Sequence, residues 1–107
     1  GYTVHIGRPN ILLLDFDEPY EEHKKYGNQR VWEILFQLYP STTRRKWKSK
    51  GGNTHMLVQF GIDCLDAEVR IAWQAAIRSD PVREALAIKR MADRIEEPSL
   101  LFEPRSS

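Results

Sequence analysis

A short apolar run that ends in two acidic residues is the feature that most constrains this chain. Residues 11–14 are Ile-Leu-Leu-Leu, they follow Pro9-Asn10, and Asp15-Phe16-Asp17 comes directly after them. A continuous apolar run of this length between turn signals predicts a buried central strand. Because side chains alternate along a strand, Asp15 and Asp17 are expected on the same face. The sequence therefore predicts a sheet that carries two carboxylates at one end of a central strand.

Two further strands and one helix are predicted downstream of this run. Residues 29–39 have apolar side chains at helical spacing, and Pro40-Ser41 ends the pattern. Residues 42–49 and 54–60 alternate in polarity on either side of Gly51-Gly52-Asn53, a typical hairpin signal. These two segments therefore predict a β-hairpin.

The last third of the chain predicts two helices and a final strand. Asp66 is a candidate N-cap, and Asp80-Pro81 starts a second helix with proline at its favoured first position. Residues 99–103 form a short apolar strand before Pro104. The apolar faces predicted for the two helices are Val69, Ala72, Trp73, Ala76 and Ile77 for the first and Val82, Ala85, Leu86, Ala92 and Ile95, interrupted by Lys89, for the second.

The resulting order, β-α-β-β-α-α-β, predicts an α+β fold of the split-βαβ or RRM-like type. A four-stranded antiparallel sheet would carry the helices on one face. Its predicted spatial strand order is 4-1-3-2, so the first strand would lie between the third and the fourth. With 107 residues the chain is expected to form a single domain over residues 1–107. The end of the first predicted strand would then lie beside the start of the third.

Composition limits the cellular setting more than the chemistry. A single cysteine excludes an internal disulfide, which favours a cytoplasmic or nuclear location. The longest apolar run is too short to span a membrane, so no membrane association is expected. A formal net charge of +1 says nothing about partners by itself.

The two aspartates suggest a metal site. Like charges two residues apart on one strand face repel unless a cation lies between them, and carboxylate oxygens suit Mg²⁺ or Mn²⁺. The alternative for an isolated Asp-x-Asp pair is that Asp15 and Asp17 are solvated residues at a strand end.

The predicted hairpin suggests phosphate binding. Glycines let a backbone approach a phosphate closely, and flanking cations, hydroxyls and an imidazole can bind its oxygens. The candidate nucleotide-binding residues are Ser49, Lys50, Gly51, Gly52, Asn53 and His55. The candidate nucleic-acid-binding residues are Arg44, Arg45, Lys46, Trp47 and Lys48, with Trp47 either stacking on a base or packing on the sheet. The alternative is an exposed hairpin tip after a solubilising basic strand.

These motifs resemble those of the archaeo-eukaryotic primases. Leu12-Leu13-Leu14-Asp15-Phe16-Asp17 is similar to the family's apolar-DxD motif, and Ser49 to His55 followed by Met56-Leu57-Val58 is similar to its second motif. The resemblance implies that Asp15 and Asp17 hold Mg²⁺ or Mn²⁺ and that Ser49 and His55 contact the phosphates of an incoming nucleotide. It also implies an RRM-like palm, which agrees with the predicted order of elements.

The family has a third acidic motif that is not placed securely in this chain. Glu97, at the start of the last predicted strand, and Glu103, within it, are the candidates for a third carboxylate. Asp63 and Asp66 are further possibilities. The chain is also shorter than known primase cores and lacks a zinc-binding module.

The sequence thus predicts a primase–polymerase-type nucleotidyltransferase that synthesises a primer on a DNA template during replication, with two metal ions and Asp15, Asp17 and His55 in the catalytic site. Its expected partners are a nucleoside triphosphate and single-stranded DNA, with a helicase or another replication subunit as a further candidate. Two alternatives stay open: a non-catalytic RRM-like nucleic-acid-binding module, and a metal-dependent nuclease.

Overall fold

The computed structural model describes residues 1–61, 65–94 and 99–105, and within these ranges it has five strands and three helices. In chain order they are β1 (Tyr2–Ile6), β2 (Ile11–Pro19), α1 (Gln29–Leu38), β3 (Thr43–Lys48), β4 (Asn53–Gln59), α2 (Ala67–Ala76), α3 (Pro81–Ala92) and β5 (Leu100–Pro104). All paired strands are antiparallel. The α+β class is therefore confirmed. In this part of the chain no helix has the length and apolar character needed to cross a membrane.

The main sheet has three strands in the order β2-β4-β3. Strand β2 pairs with β4 so that Leu12 lies opposite Val58 and Asp15 lies opposite His55. Strands β3 and β4 form the predicted hairpin, with Trp47 opposite His55. The predicted neighbours β2 and β4 are thus confirmed, and the acidic end of β2 lies beside the start of β4.

The predicted four-stranded RRM-like sheet is not matched. Strand β5 was expected beside β2 but pairs with β1 in a separate two-stranded sheet, where Val4 lies opposite Phe102 and Ile6 opposite Leu100. Strand β1 was missing from the predicted order. Its alternating pattern, with Tyr2, Val4 and Ile6 on one side, is a strand signal that the sequence does contain.

The outer edge of β2 bonds to side chains and a turn instead of to a fourth strand. The backbone N–H of Leu13 donates to Oε1 of Gln74 at 3.1 Å, and its carbonyl accepts from Arg83 at 2.9 Å. The N–H of Asp15 donates to Oγ of Ser79 at 2.9 Å. Backbone groups in a buried setting need such partners. Side chains of α2, of α3 and of the turn between them thus satisfy the backbone groups of Leu13 and Asp15. These groups are therefore not available for hydrogen bonds to β5.

Apolar side chains pack on both faces of the main sheet. The larger cluster lies on the α1 side and comprises Leu12, Leu14, Phe16, Tyr26, Trp32, Leu35, Met56, Val58, Phe60, Leu65 and Ile77. The smaller cluster lies on the other face, where Leu101 of β5 packs with Leu13 and Trp47. This second face is not open, as the predicted fold implied, because the β1–β5 sheet packs there.

Helix α2 buries part of its predicted face, whereas α3 does not. Ile77 is buried and Trp73 packs against the larger cluster, but Val82 of α3 is 68% exposed and Leu86 is 49% exposed. Ile95, predicted for the same face of α3, lies outside the described residues.

Buried polar side chains take the place of the predicted apolar contacts of α3. Gln74 of α2 donates to Oε1 of the buried Glu84 at 2.7 Å, and Arg83 donates to Oε2 of the same carboxylate at 2.7 Å. Polar partners near the edge of β2 therefore outweigh the apolar periodicity of α3, and its apolar side chains face outward.

Gln74 should be critical for stability because it bonds the edge of β2 from a buried position. Gln74→Ala leaves the Leu13 N–H without its partner, and a buried unsatisfied group costs about 1–3 kcal/mol. We expect denaturant unfolding to show a loss of at least that size. The matched control is Gln37→Ala on the exposed side of α1, which should change stability by less than about 0.5 kcal/mol. Equal stabilities of the two variants would contradict this account of the β2 edge.

Candidate functional site

Asp15 and His55 form the centre of the candidate site. They are register partners on β2 and β4, and Nε2 of His55 lies 3.5 Å from Oδ1 of Asp15. The other ring nitrogen, Nδ1, lies 3.1 Å from the carbonyl oxygen of Phe102. A carbonyl oxygen only accepts, so Nδ1 carries the proton of this hydrogen bond. Nε2 is therefore the ring nitrogen that faces the carboxylate.

The carboxyl group of Asp15 lies in an unusual electrostatic environment. Burial raises the pKa of Asp15, the positive charges near it at His55 and Arg83 oppose that rise, and the carboxylates of Asp80 and Asp17 add to it. Desolvation and neighbouring negative charge both disfavour an ionised carboxyl group. A cation at this position would offset both effects.

Asp17 lies closer to the hairpin than to the centre of the sheet. The register between β2 and β4 shifts after Phe16, and Oδ1 of Asp17 accepts a hydrogen bond from the Asn53 side-chain amide at 3.0 Å. The acidic end of β2 and the glycine-rich turn are thus in direct contact. The two motifs that are distant in sequence therefore meet at one end of the sheet.

The hairpin turn is closed by Ser49 and Asn53. The N–H of Ser49 donates to the carbonyl of Asn53 at 2.8 Å, and the N–H of Asn53 donates to Oγ of Ser49 at 3.0 Å. Gly52 has a φ of 90°, a conformation that favours glycine, and Lys50 and Gly51 are exposed. The Ser49 hydroxyl accepts in this turn, so its own proton can still be donated to a ligand.

The basic residues of β3 are divided between the two faces of the sheet. Arg44 and Lys46 lie on the α1 side, where their cationic groups lie over aromatic rings. Arg45 lies on the other side and pairs with Glu103 at 2.8 Å. Trp47 is buried on that same side, and its Nε1 donates to the carbonyl of Phe102. Of the two roles considered for Trp47, the structure favours packing on the sheet.

Lys48, the last basic residue of β3, is exposed beside the hairpin turn and lies opposite Thr54. The sequence-predicted basic residues therefore do not form one surface.

Of the candidates for a third carboxylate, Glu103 and Asp66 lie in the described part of the chain, and neither forms a metal-binding group with Asp15 there. Glu103 is bonded to both Arg45 and His5, at 2.8 and 2.9 Å. Asp66 begins α2 near Pro9, at the other end of β2, because the adjacent Leu65 N–H bonds to the Pro9 carbonyl. Glu97 and Asp63 lie outside the described residues.

Asp80 and Arg83 are residues near Asp15 that the sequence did not point to. The N–H of Asp80 donates to the Asp15 carbonyl at 2.6 Å, and its side chain caps α3 by accepting from the Val82 N–H. In the sequence Asp80 reads only as a helix cap, and Arg83 as one charge on a solvated helix. Asp15 and Asp80 are 65 positions apart in the sequence, and no local pattern indicates that they lie together.

Two carboxylates, those of Asp15 and Asp17, are the donors that this part of the sheet offers to a cation. Among residues 1–61, 65–94 and 99–105, no three His, Cys, Asp or Glu side chains converge as a metal-binding group. Mg²⁺ is commonly bound by one or two carboxylates together with water and substrate phosphates. A cation held by Asp15 and Asp17 would therefore need further ligands from water or a substrate.

Comparisons with known proteins give no match: no family model, no curated protein and no solved structure matches this chain.

Glu103 should stabilise the packing of the β1–β5 sheet on the main sheet in a pH-dependent way, because it pairs with Arg45 of β3. The hydrogen bond from Arg45 holds the pKa of Glu103 below its ordinary value of 4.5, and His5 acts in the same direction. A lowered pKa means that the stabilisation is present above the unfolded-state pKa and is lost as pH falls through the folded-state pKa. We expect Glu103→Gln to lower the unfolding free energy by about 0.5–1 kcal/mol near neutral pH.

The difference between wild type and Glu103→Gln should disappear in acid, when the wild-type carboxyl group is protonated. Thermal unfolding across the acid range measures it, with Glu33→Gln on the exposed side of α1 as the control. A difference that is independent of pH would contradict the ionic origin of this contact.

Proposed function

We propose that this chain is the palm of a primase–polymerase-type nucleotidyltransferase that makes a primer on a single-stranded DNA template. One observation carries the proposal: Asp15 in the middle of β2 and His55 near the start of β4 are direct register partners, with Nε2 of His55 3.5 Å from Oδ1 of Asp15. Asp17 contacts the hairpin turn at the same end of the sheet. Carboxylates for a metal and groups for a phosphate are thereby adjacent, as transfer of a nucleotide requires.

In this proposal Asp15 and Asp17 would hold Mg²⁺ or Mn²⁺, together with oxygens of the nucleoside triphosphate. When bound, the metal ions would acidify the attacking 3′-hydroxyl and neutralise charge at the phosphorus and on the leaving pyrophosphate. The third carboxylate of the family, with Glu97 and Glu103 as its sequence candidates, has no assigned place in this scheme.

The chain's own residues would orient the triphosphate. The Ser49 hydroxyl has a proton to donate, and Lys50 and Gly51 are exposed in the turn. His55 would neutralise charge on the triphosphate through Nε2 and would not act as a general base. A cytoplasmic or nuclear location, with a helicase or another replication subunit nearby, belongs to the same proposal.

A non-catalytic nucleic-acid-binding module is the second candidate, and a specific observation favours it. The β1–β5 sheet packs on the face that carries His55, and the Phe102 carbonyl engages one nitrogen of that ring. This arrangement limits the space that a ligand could occupy beside Asp15 and His55. A binding module would need no access there. No comparable observation separates a metal-dependent nuclease from the transferase.

Replacing both carboxylates tests the catalytic proposal. Asp15→Asn with Asp17→Asn should reduce template-dependent incorporation of a labelled nucleotide at least about a hundredfold, the scale expected for removing transition-state charge stabilisation. Without metal, the free energy of unfolding should stay the same or increase. The raised pKa of Asp15 means that its ionised carboxyl group destabilises the fold near neutral pH, and asparagine removes that cost. The assay measures extension products on single-stranded DNA with Mn²⁺ or Mg²⁺.

The matched control for this experiment is Asp66→Asn. Asp66 is exposed, makes no side-chain cap bond at α2 and lies at the other end of β2. It should retain wild-type activity. Full activity of the double variant would contradict the catalytic role of Asp15 and Asp17. Metal-independent oligonucleotide binding by a wild-type protein that incorporates no nucleotide would contradict the enzyme and favour the binding module.

His55→Ala and Ser49→Ala test the nucleotide contacts separately. A lost charge-assisted hydrogen bond costs about 1.5–3 kcal/mol, so affinity for the nucleoside triphosphate should fall roughly tenfold to a hundredfold. Calorimetric titration with Mn²⁺ and a nucleoside triphosphate measures this loss, and template affinity should change much less. Unchanged nucleotide affinity in both variants would show that the turn does not bind phosphate.

A further inference from the structure

A basic groove lies on the face of the main sheet opposite to Asp15. It is formed between β3 and the loop of residues 20–28, has a volume of about 370 Å³, and is lined in part by Met56. Four cationic side chains line it, and the only carboxylate in that lining is Glu22. These four residues define the basic groove: Lys24, Lys25, Arg44 and Lys46.

Strand alternation explains why only part of the basic segment contributes to the groove. Arg44 and Lys46 are two positions apart on β3 and share the α1 side, with Lys46 opposite Met56. Arg45 lies between them in sequence and points to the other face, where it pairs with Glu103. The groove therefore gains half of its cations from β3 and half from a loop that carries no recognisable motif.

The groove is held in a defined shape. The Tyr26 hydroxyl donates to the Pro19 carbonyl at 2.9 Å, and the Trp32 indole donates to the Tyr26 carbonyl at 2.8 Å. Tyr26 is buried and fixes the loop against the core. A preformed groove binds a ligand with less loss of conformational freedom than a mobile loop does.

The two cations from β3 are not neutralised by acids. Within the described part of the chain, neither Arg44 nor Lys46 forms an ion pair with a carboxylate. Lys46 instead lies 4.8 Å from the ring centre of Tyr20, and Arg44 lies 4.7 Å from that of Trp32. Burial also lowers the pKa of Arg44, since a charged group there has lost solvent. An anion in the groove would compensate for this loss.

We infer that the basic groove binds the phosphodiester backbone of a single-stranded nucleic acid. Single-strand sites combine a positively charged groove with aromatic rings that can stack on a base. Half-buried Tyr20 lies next to the groove, with its ring centre 4.8 Å from Nζ of Lys46. A concave groove of this volume admits an extended strand, whereas a rigid duplex would touch only its rim. This inference goes beyond the proposed catalysis, which uses the opposite face and a metal.

The test measures binding of a short fluorescent oligothymidylate by anisotropy, in EDTA, over a range of salt concentrations. The variants are Lys25→Gln, Lys46→Gln and the double variant. Each true phosphate contact contributes about 0.7 to the log–log salt slope for a single strand. We expect each single variant to reduce the slope by about that amount and to weaken binding about fivefold near 0.1 M salt.

Arg45→Gln is the matched control, because it removes the same charge from the neighbouring position on the other face. It should leave both slope and affinity nearly unchanged. Lys25 is exposed and needed for no contact in the core, so Lys25→Gln keeps the test valid even if Lys46→Gln loses stability. Unfolding curves of all variants check that the fold is retained.

Several results would overturn this inference. They are no binding at low salt, equal effects of Arg45→Gln and Lys46→Gln, binding of a duplex as tight as of the single strand, or displacement of the strand by an equal concentration of nucleoside triphosphate. Because the measurement excludes divalent cations, its failure leaves the proposed function untouched. Loss of incorporation in the Asp15 and Asp17 variants leaves this groove untouched in turn.

Discussion

The hydrogen bonds along the outer edge of β2 determine where the other elements lie. Gln74, Ser79 and Arg83 satisfy the backbone at Leu13 and Asp15, so the turn between α2 and α3 occupies the position of a fourth strand. Strand β5 then pairs with β1, and this small sheet packs on the face of the main sheet that carries Leu13. A buried carboxylate, Glu84, receives hydrogen bonds from Gln74 and Arg83, which compensates for its desolvation.

The same arrangement separates two kinds of chemistry on opposite faces of one thin sheet. One face carries Asp15 of β2 beside His55 of β4, and Asp17 contacts the glycine-rich turn nearby. The other face carries the basic groove, where Arg44 and Lys46 lie over aromatic rings. Phosphate binding by the groove and metal binding by the carboxylates would therefore not compete.

Much of the local structure follows from sequence patterns that span only a few residues. The period of two in the hairpin, the proline at the start of α3 and the helical spacing before Pro40 are each determined by short-range sterics and hydrogen bonding. The juxtaposition of Asp15 and His55 was also predicted, because an antiparallel neighbour places the end of one strand beside the start of the other. The contact between Asp17 and Asn53 refines that prediction within the same end of the sheet.

The sequence by itself determined the central strand, the hairpin, the three helices and the adjacency of the acidic and glycine-rich motifs, because each depends on local periodicity or on one strand pairing. Only the tertiary structure decided the position of β5, the buried side of α3 and the division of the basic segment between two faces. The physical reason is that these features depend on competition between distant partners. The edge of β2 could bond to a strand or to side chains, and Gln74 and Arg83 lie about 60 and 70 positions from Leu13. No local sequence pattern indicates which of these partners forms hydrogen bonds to the edge of β2.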